Sequence, residues 1–274
     1  MNLLNIKLIG LLLVLTALPL PVSAAYTIDG DLSDWGVTPF TDWAPNSSTT
    51  DYVVEDYQGT AATLDPDMQP YGGATDPTNE AFDIEAMYFD DTQDFGYFAI
   101  VTSMNESGVI WKNSQWDAAD LAIDMDNDAT TGEYGYEYGI KLIGSNKGEV
   151  CYLPDWQPAN VYGANGPTVF TCNGTGSVIM GSANIVYADS GIVESWGTPY
   201  NKTYIIELEV NRTFLGSPSQ GQLSDLHATL MCGNDVLRIN DFSWSAPAFP
   251  AAAVPLGIVL FAPVAAYIAA RRDN

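Results

Sequence analysis

Basic residues are scarce in this chain. Nine lysines and arginines stand against 34 aspartates and glutamates, a formal net charge of −25. A surface of that sign repels phosphate backbones and anionic headgroups, which excludes nucleic acid as a partner. Histidine is scarcer still, with His227 alone. One histidine and three scattered cysteines do not furnish a zinc or copper centre. A serine triad also needs a base, and His227 sits in Ser224-Asp225-Leu226-His227 with no Gly-x-Ser-x-Gly nearby. A glycosidase needs only two carboxylates about 5–9.5 Å apart, and nothing in the sequence marks such a pair. The expectation is a non-catalytic protein.

Long helical periodicity is missing except at the two ends. At the first end, Lys7 precedes an apolar run from Leu8 to Leu20 and a small-residue site, Val22-Ser23-Ala24-Ala25. That is the pattern of a secretory signal peptide over residues 1–25; a signal anchor is the alternative, but the run is short for a span. At the other end, residues 248–270 carry no charge and precede Arg271-Arg272. At about 1.5 Å per residue this stretch reaches roughly 34 Å, enough to cross a hydrocarbon core of about 30 Å. The arginines place 271–274 on the cytoplasmic side. The expected order is therefore signal peptide, ectodomain 26–240, linker 241–247, transmembrane or sorting-signal helix 248–270, and short tail. Such a protein is exported and membrane-anchored at the cell surface.

The ectodomain holds six basic and 33 acidic residues. Its length suits one β domain of about 220 residues. After a short strand and an aromatic anchor at Tyr26–Trp35, residues 43–79 read as a long loop rich in Asp, Pro, Thr and Gly. Then FDIEAMYFD and FGYFAIVTSM, joined across Asp91–Asp94, predict a hairpin. Further strands are expected over 120–125, 134–142, 148–152, 168–172, 182–188, 204–210 and 228–232, with one helical turn at 211–216. Short strands without a long helix predict an antiparallel β-sandwich. Cys151 with Cys172, or Cys172 with Cys232, can form a disulfide in an oxidising compartment. Five sequons, at Asn46, Asn105, Asn173, Asn201 and Asn211, fit a glycosylated exterior.

Chemistry concentrates in DLAIDMDNDATTGEYGYEYGIKL, residues 120–142. Alternation puts Asp120 and Asp124 on one face, with Leu121, Ile123 and Met125 on the other; Tyr134, Tyr136, Tyr138, Ile140 and Leu142 share a face on the return strand. Asp124, Asp126 and Asp128 have the early spacing of a Ca²⁺ loop. An EF-hand is excluded, since Ala129 and Gly135 occupy the sixth and twelfth positions. The expectation is a structural Ca²⁺ in a hairpin turn. Asp120 and Glu137, facing the same side across the hairpin, are an alternative ligand pair, which Asp83 and Glu85 from the neighbouring hairpin would complete. The alternative is a solvated acidic turn capped by Thr131 and Gly132. For sugars, which stack on flat aromatic faces, the candidates are Trp111, Trp116 and Trp156 in loop positions, while Trp35 plugs the end of the fold.

Several segments together resemble DOMON-like domains and family 9 carbohydrate-binding modules. They are "IDGDLSDW" at 28–35, "DIEAMYFDDTQDFGYFAIVTS" at 83–103, "DLAIDMDNDATTGEYGYEYGI" at 120–140 and "YIIELEVNRTFLG" at 204–216. The resemblance covers most of residues 26–240. It implies a jelly-roll-like sandwich, often with structural Ca²⁺, and in some members binding of sugar chains between exposed tryptophans. A haem-binding variant uses His and Met, and His227 alone does not support it. The end of the chain resembles the PEF-CTERM sorting tails of archaeal surface proteins, although Pro247-Ala-Phe-Pro250 stands where that family has Pro-Glu-Phe. Cleavage there would exchange the helix for a lipid anchor. The function expected is glycan binding or adhesion, in contact with other envelope proteins. The alternatives are a structural coat component without a specific ligand, or an extracytoplasmic glycan-active enzyme.

Overall fold

The computed structural model describes residues 26–56, 68, 73, 75–159 and 166–245. The expected signal peptide, apolar helix and tail lie outside the described residues. Among the described residues no helix is long and apolar enough to cross a membrane.

The described chain is all-β, and every strand pairing in it is antiparallel. Strand β1 (Asp51–Val54) and a 3₁₀ turn (Pro77–Phe82) lead into β2 (Ile84–Asp91) and β3 (Phe95–Thr102). A ribbon of β4 (Val109–Trp111) and β5 (Ser114–Trp116) precedes β6 (Leu121–Asp124), β7 (Tyr138–Ile140) and β8 (Glu149–Tyr152). A second ribbon, β9 (Asp155–Pro158) with β10 (Pro167–Thr171), is followed by β11 (Val178–Ser182), β12 (Asn184–Val193) and β13 (Lys202–Asn211). After a 3₁₀ turn at Arg212–Leu215, β14 (Leu223–Thr229) and β15 (Val236–Ser243) complete the set. One sheet has the order β1-β2-β3-β13-β12 and the other β11-β8-β7-β6-β14-β15.

The predicted hairpin at 83–103 forms, because IEAMYFDD and FGYFAIVT are β-branched and aromatic runs joined by a turn that Thr92 closes onto Phe95. Its period-2 faces separate. Met87 and Phe89 join Ile100 and Leu208 in a core shared with Leu121, Ile123, Leu226 and Leu237 of the six-stranded sheet. The rings of Phe89 and Phe242 approach to 4.1 Å between centroids across that core.

The outer face of the five-stranded sheet is also buried. Ala86, Tyr88, Tyr97, Val101 and Ile205 lie under Tyr26, Leu32, Trp35 and Val37. Residues 26–35 are not the expected strand; they drape over this face, and Trp35 packs there and not at the end of the fold. A buried carboxylate pins the drape: Glu207 of β13 accepts from Trp35 Nε1 at 2.8 Å and from the amides of Asp29 and Gly30 at 3.0 Å. Gly30 is required, since its φ is +82° and a Cβ would fall 2.5 Å from Ala188 Cβ. The β9–β10 ribbon covers the far face of the six-stranded sheet in the same way. Its Trp156 and Phe170 close over Ala122 and Cys151, and Phe170 occupies the space a side chain at Gly139 would need. Cys151 and Cys172 are disulfide-bonded, and the thiol of Cys232 is buried and donates to Asn234 Oδ1 at 2.6 Å.

Three expectations change. The loop at 43–79 contains β1 and a 3₁₀ turn. The strand expected at 228–232 begins five residues earlier, at Leu223. Residues 241–245 are not linker: β15 runs to Ser243, and Trp244 is buried with its indole N–H on Ser224 Oγ at 3.1 Å.

Replacing Glu207 by Ala strands two buried donors, Trp35 Nε1 and Gly30 N, and the part-buried amide of Asp29, at a cost of about 3 kcal/mol. Urea unfolding should show that loss, and the amides of residues 29–37 should exchange faster. Unchanged stability and protection would remove Glu207 as the pin.

Candidate functional site

The predicted acidic hairpin forms, with Leu121 opposite Ile140, Ala122 opposite Gly139 and Ile123 opposite Tyr138. One step beyond the last pair, Asp124 and Glu137 face each other, and Asp126 turns back toward them. Asp124, Asp126 and Glu137 each place a carboxylate oxygen within 4.8 Å of the others. The backbone of the turn already serves these oxygens. Asp128 N donates to Asp124 and Asp126 at 3.2 and 3.1 Å, Met125 N donates to Glu137 at 2.8 Å, and Thr131 Oγ1 bonds to both Asp126 and Glu137. Partial burial, and next the charge of Glu137, push Asp124 up to about 6.

Two of the expected ligands stand apart from this group. Asp120 is buried and pairs with Lys141 Nζ at 2.6 Å while accepting from Phe170 N at 3.0 Å. Asp128 turns outward and caps Thr130, accepting from its amide at 3.0 Å and its hydroxyl at 2.6 Å. Tyr134 also leaves its expected inward face, with φ +59° and 47% exposure, because the return strand begins only at Tyr138.

Asp83 and Glu85 do not complete the hairpin group; Glu85 belongs to a second acidic cluster that the sequence did not announce, and Asp83 lies close enough to feel its charge. Glu80, Glu85 and Glu194 bring one carboxylate oxygen each within 4.8 Å of one another, with Glu80 and Glu85 fully buried. Glu80 comes from the 3₁₀ turn that Asp76 caps through Thr78 N and Pro77 starts. The register of β2 against β3 shifts between Ile84 and Ala86, which makes Glu85 the extra residue of a β-bulge. The bulge also explains why Ile84 and Met87, an odd number of positions apart, share one core face. Glu194 follows β12 and is clamped by Asn201, whose backbone oxygen takes the Glu194 amide and whose Nδ2 donates to the Glu194 carbonyl at 2.6 Å.

Ser103 Oγ lies 2.8 Å from both Glu80 Oε1 and Glu85 Oε1, yet a hydroxyl has one proton to donate. Burial, then the charges of Asp235, Glu80, Glu85 and Asp56, drive Asp83 well above the carboxylate range. Burial raises Glu80 and Glu85 too. It also takes Glu194 to about 11, helped by a hydrogen bond with Glu80 and the nearby acids. No family model matches the chain, and no curated protein does. The geometry is therefore the ground for any functional reading.

The three tryptophans differ from expectation in how they lie. Trp156 is buried at 2% exposure under the β9–β10 ribbon, edge-on to Phe170, so it presents no face to a sugar. In the β4–β5 ribbon, Val109 pairs with Trp116 and Trp111 with Ser114, which puts both tryptophans on one face. That face turns inward: both are half-buried against the main core, whereas Ile110 on the opposite face is 75% exposed. Lys112 Nζ covers the Trp111 ring at 3.7 Å. Of the sequons, Asn46 and Asn173 are exposed, and Asn105 and Asn211 are half-buried. Asn201 is buried with its Nδ2 committed to Glu194, so the folded chain offers no acceptor there.

An open cleft of about 480 Å³ went unforeseen, lined by Asn105, Glu106, Ser107, Tyr187, Asp189 and Tyr204. Its aromatic and polar residues come from three separate segments, so no local pattern marks it.

His227 is a core residue. It is buried in β14, its Nε2 lies 3.1 Å from Pro167 O, and its Nδ1 has no partner. Burial, then the charge of Arg238, hold it down to about 3. A depressed folded-state value means that stability is fully present above the unfolded value of about 6.5 and lost as pH falls toward 3. The stability advantage of wild type over His227→Gln should therefore shrink by about 1.4 kcal/mol per unit below pH 6.5. Parallel denaturation curves for the two proteins from pH 7 to 4 measure this; a constant gap would show that the imidazole titrates freely.

Proposed function

We propose that the chain is a non-catalytic β-sandwich of DOMON-like type, displayed on the cell surface, steadied by Ca²⁺ and binding glycans or mediating adhesion. The shared core between the five- and six-stranded sheets supports the sandwich. The Cys151–Cys172 disulfide supports an oxidising, extracytoplasmic location. Convergence of Asp124, Asp126 and Glu137 supports a cation at the hairpin tip, where a divalent ion offsets repulsion that the turn amides offset only in part.

The observation that carries the ligand reading is the open cleft beside β12 and β13. Tyr204 is half-buried there, edge-on to Tyr187, and supplies an aromatic wall. Glu106 and Asp189 are held in place by Lys147 and Lys202 at 2.6 and 2.7 Å. An aromatic wall flanked by fixed hydrogen-bonding groups in a shallow, wet cleft is the chemistry a sugar chain takes. The cleft takes over the role expected of the tryptophans. The second reading, a coat component without specific ligand, is favoured by exposed Val178, Ile179 and Val193 on edge strands β11 and β12, which suit lateral contact with other envelope proteins.

A glycan array at fixed ionic strength tests the first reading. Wild type should bind one class of glycan, and Tyr204→Ala should weaken that binding at least tenfold. A blank array, or equal binding by the variant, leaves the coat reading standing. For the hairpin ion, Asp126→Asn should remove one equivalent of bound Ca²⁺; an unaltered metal content would take the ion away from the hairpin.

A further inference from the structure

The six basic residues of the described chain are all committed elsewhere than at the Glu80–Glu85–Glu194 cluster. Lys141 pairs with Asp120, Lys147 with Glu106, Lys202 with Asp189 and Arg212 with Asp91. Lys112 lies over Trp111, and Arg238 stands beside Tyr136 and His227. The acids therefore crowd together without a side-chain cation. Buried charge left uncompensated is strongly disfavoured.

Hydrogen bonds do not relieve the crowding. Glu85 is 0% exposed, and its Oε2 has no hydrogen-bond partner. Glu80 Oε2 and the half-buried Glu194 Oε1 also lack a partner while both are ionised; a proton shared between those two would join them and still leave Glu85 Oε2 bare. This differs from the hairpin tip, where turn amides and Thr131 occupy the oxygens. Native folds seldom bury polar atoms without partners, and such an orphan calls for an explanation. Backbone features aim these oxygens at one point: the 3₁₀ turn presents Glu80, the bulge swings Glu85, and Asn201 holds Glu194. Gly197 lets the following loop close on the cluster, since a Cβ there would fall 2.3 Å from Glu80 Cγ.

We propose that Glu80, Glu85 and Glu194 hold a buried divalent cation of the calcium class, which ties the 3₁₀ turn, β2 and the loop after β12 together inside the fold. Three carboxylates offer six oxygens and Ser103 Oγ a seventh, which matches the six to eight oxygen ligands Ca²⁺ takes at about 2.3–2.6 Å. A mutual spacing within 4.8 Å fits the diameter of that shell. Mg²⁺ keeps several waters and needs a tighter octahedron, so a cluster with two fully buried glutamates does not suit it. The site is separate from the hairpin tip and does not depend on an ion there.

The test uses the full-length chain, stripped with chelator, dialysed against Ca²⁺ and assayed for bound metal and for melting temperature. Wild type should retain an ion that Asp126→Asn also retains, and that Glu85→Gln and Glu194→Gln each lose. In chelator Glu85→Gln should melt no lower than wild type, because it removes an acid whose ionisation the crowding opposes; in Ca²⁺ wild type should gain more than either variant. If Glu85→Gln does not fold, the half-buried Glu194→Gln decides alone. Absence of any ion beyond one lost in Asp126→Asn overturns the proposal. So does an equal gain from Ca²⁺ in wild type and both Gln variants.

Discussion

The constraint on which this structure turns is the burial of carboxylates in a chain that has few bases to pair with them. Glu80, Asp83, Glu85, Asp90, Asp91, Asp120, Glu137, Glu207 and Asp235 are all under 7% exposed. Asp91 and Asp120 have a basic partner in an ion pair. Several of the others are met by neutral donors, and the fold is arranged to bring those donors in. Tyr26 and Thr50 hydroxyls serve Asp90, the Trp35 indole and two amides serve Glu207, and the amide of Ile84 serves Asp235. Each of these contacts joins segments far apart in sequence. Acids that would merely solvate a surface act here as long-range fasteners, since a buried carboxylate is stable only where donors converge on it.

Local pattern explains how much of this was legible. The β2–β3 hairpin, the acidic hairpin and β13 follow from period-2 alternation and β-branched composition, which act within a few residues. The covers over the sheets do not. Residues 26–35 look like a strand because they end in an aromatic anchor, yet what fixes them is Glu207, about 170 residues away, and that contact leaves no mark near Trp35. Likewise β15 resembles a linker because Asp241-Phe-Ser-Trp alternates only briefly before proline. Its membership in the sheet rests on Phe242 and Trp244 packing against Phe89.

The acidic sites show the same division. The Asp-x-Asp-x-Asp spacing drew attention to the hairpin because three acids in five residues are visible to the eye. There, however, the turn amides answer most of the charge, and Asp120 and Asp128 have found separate partners. Glu80, Glu85 and Glu194 are spread over more than a hundred residues, and a bulge, a 3₁₀ turn and an asparagine clamp bring them together. A bulge is invisible to alternation rules until the register is known, since it breaks the period those rules assume. Conspicuous acids are therefore the better solvated ones, and the acids with unmet need are the dispersed ones.

Covering both outer faces also bears on where recognition can occur. The drape of Tyr26, Leu32 and Trp35 seals one sheet, and Trp156 with Phe170 seals part of the other. Many β proteins bind along an open sheet face, and those surfaces are closed here. The tryptophans, which sequence alone offers as sugar platforms, are drawn into sealing the fold because a large apolar ring contributes more when buried than when exposed. What stays open is the tyrosine-lined cleft beside β12 and β13 and the sheet edges. Tyrosine suits that position, as its ring gives a stacking wall and its hydroxyl tolerates water. Under the glycan-binding proposal, a chain that closes its faces with indoles would meet its ligand with phenols.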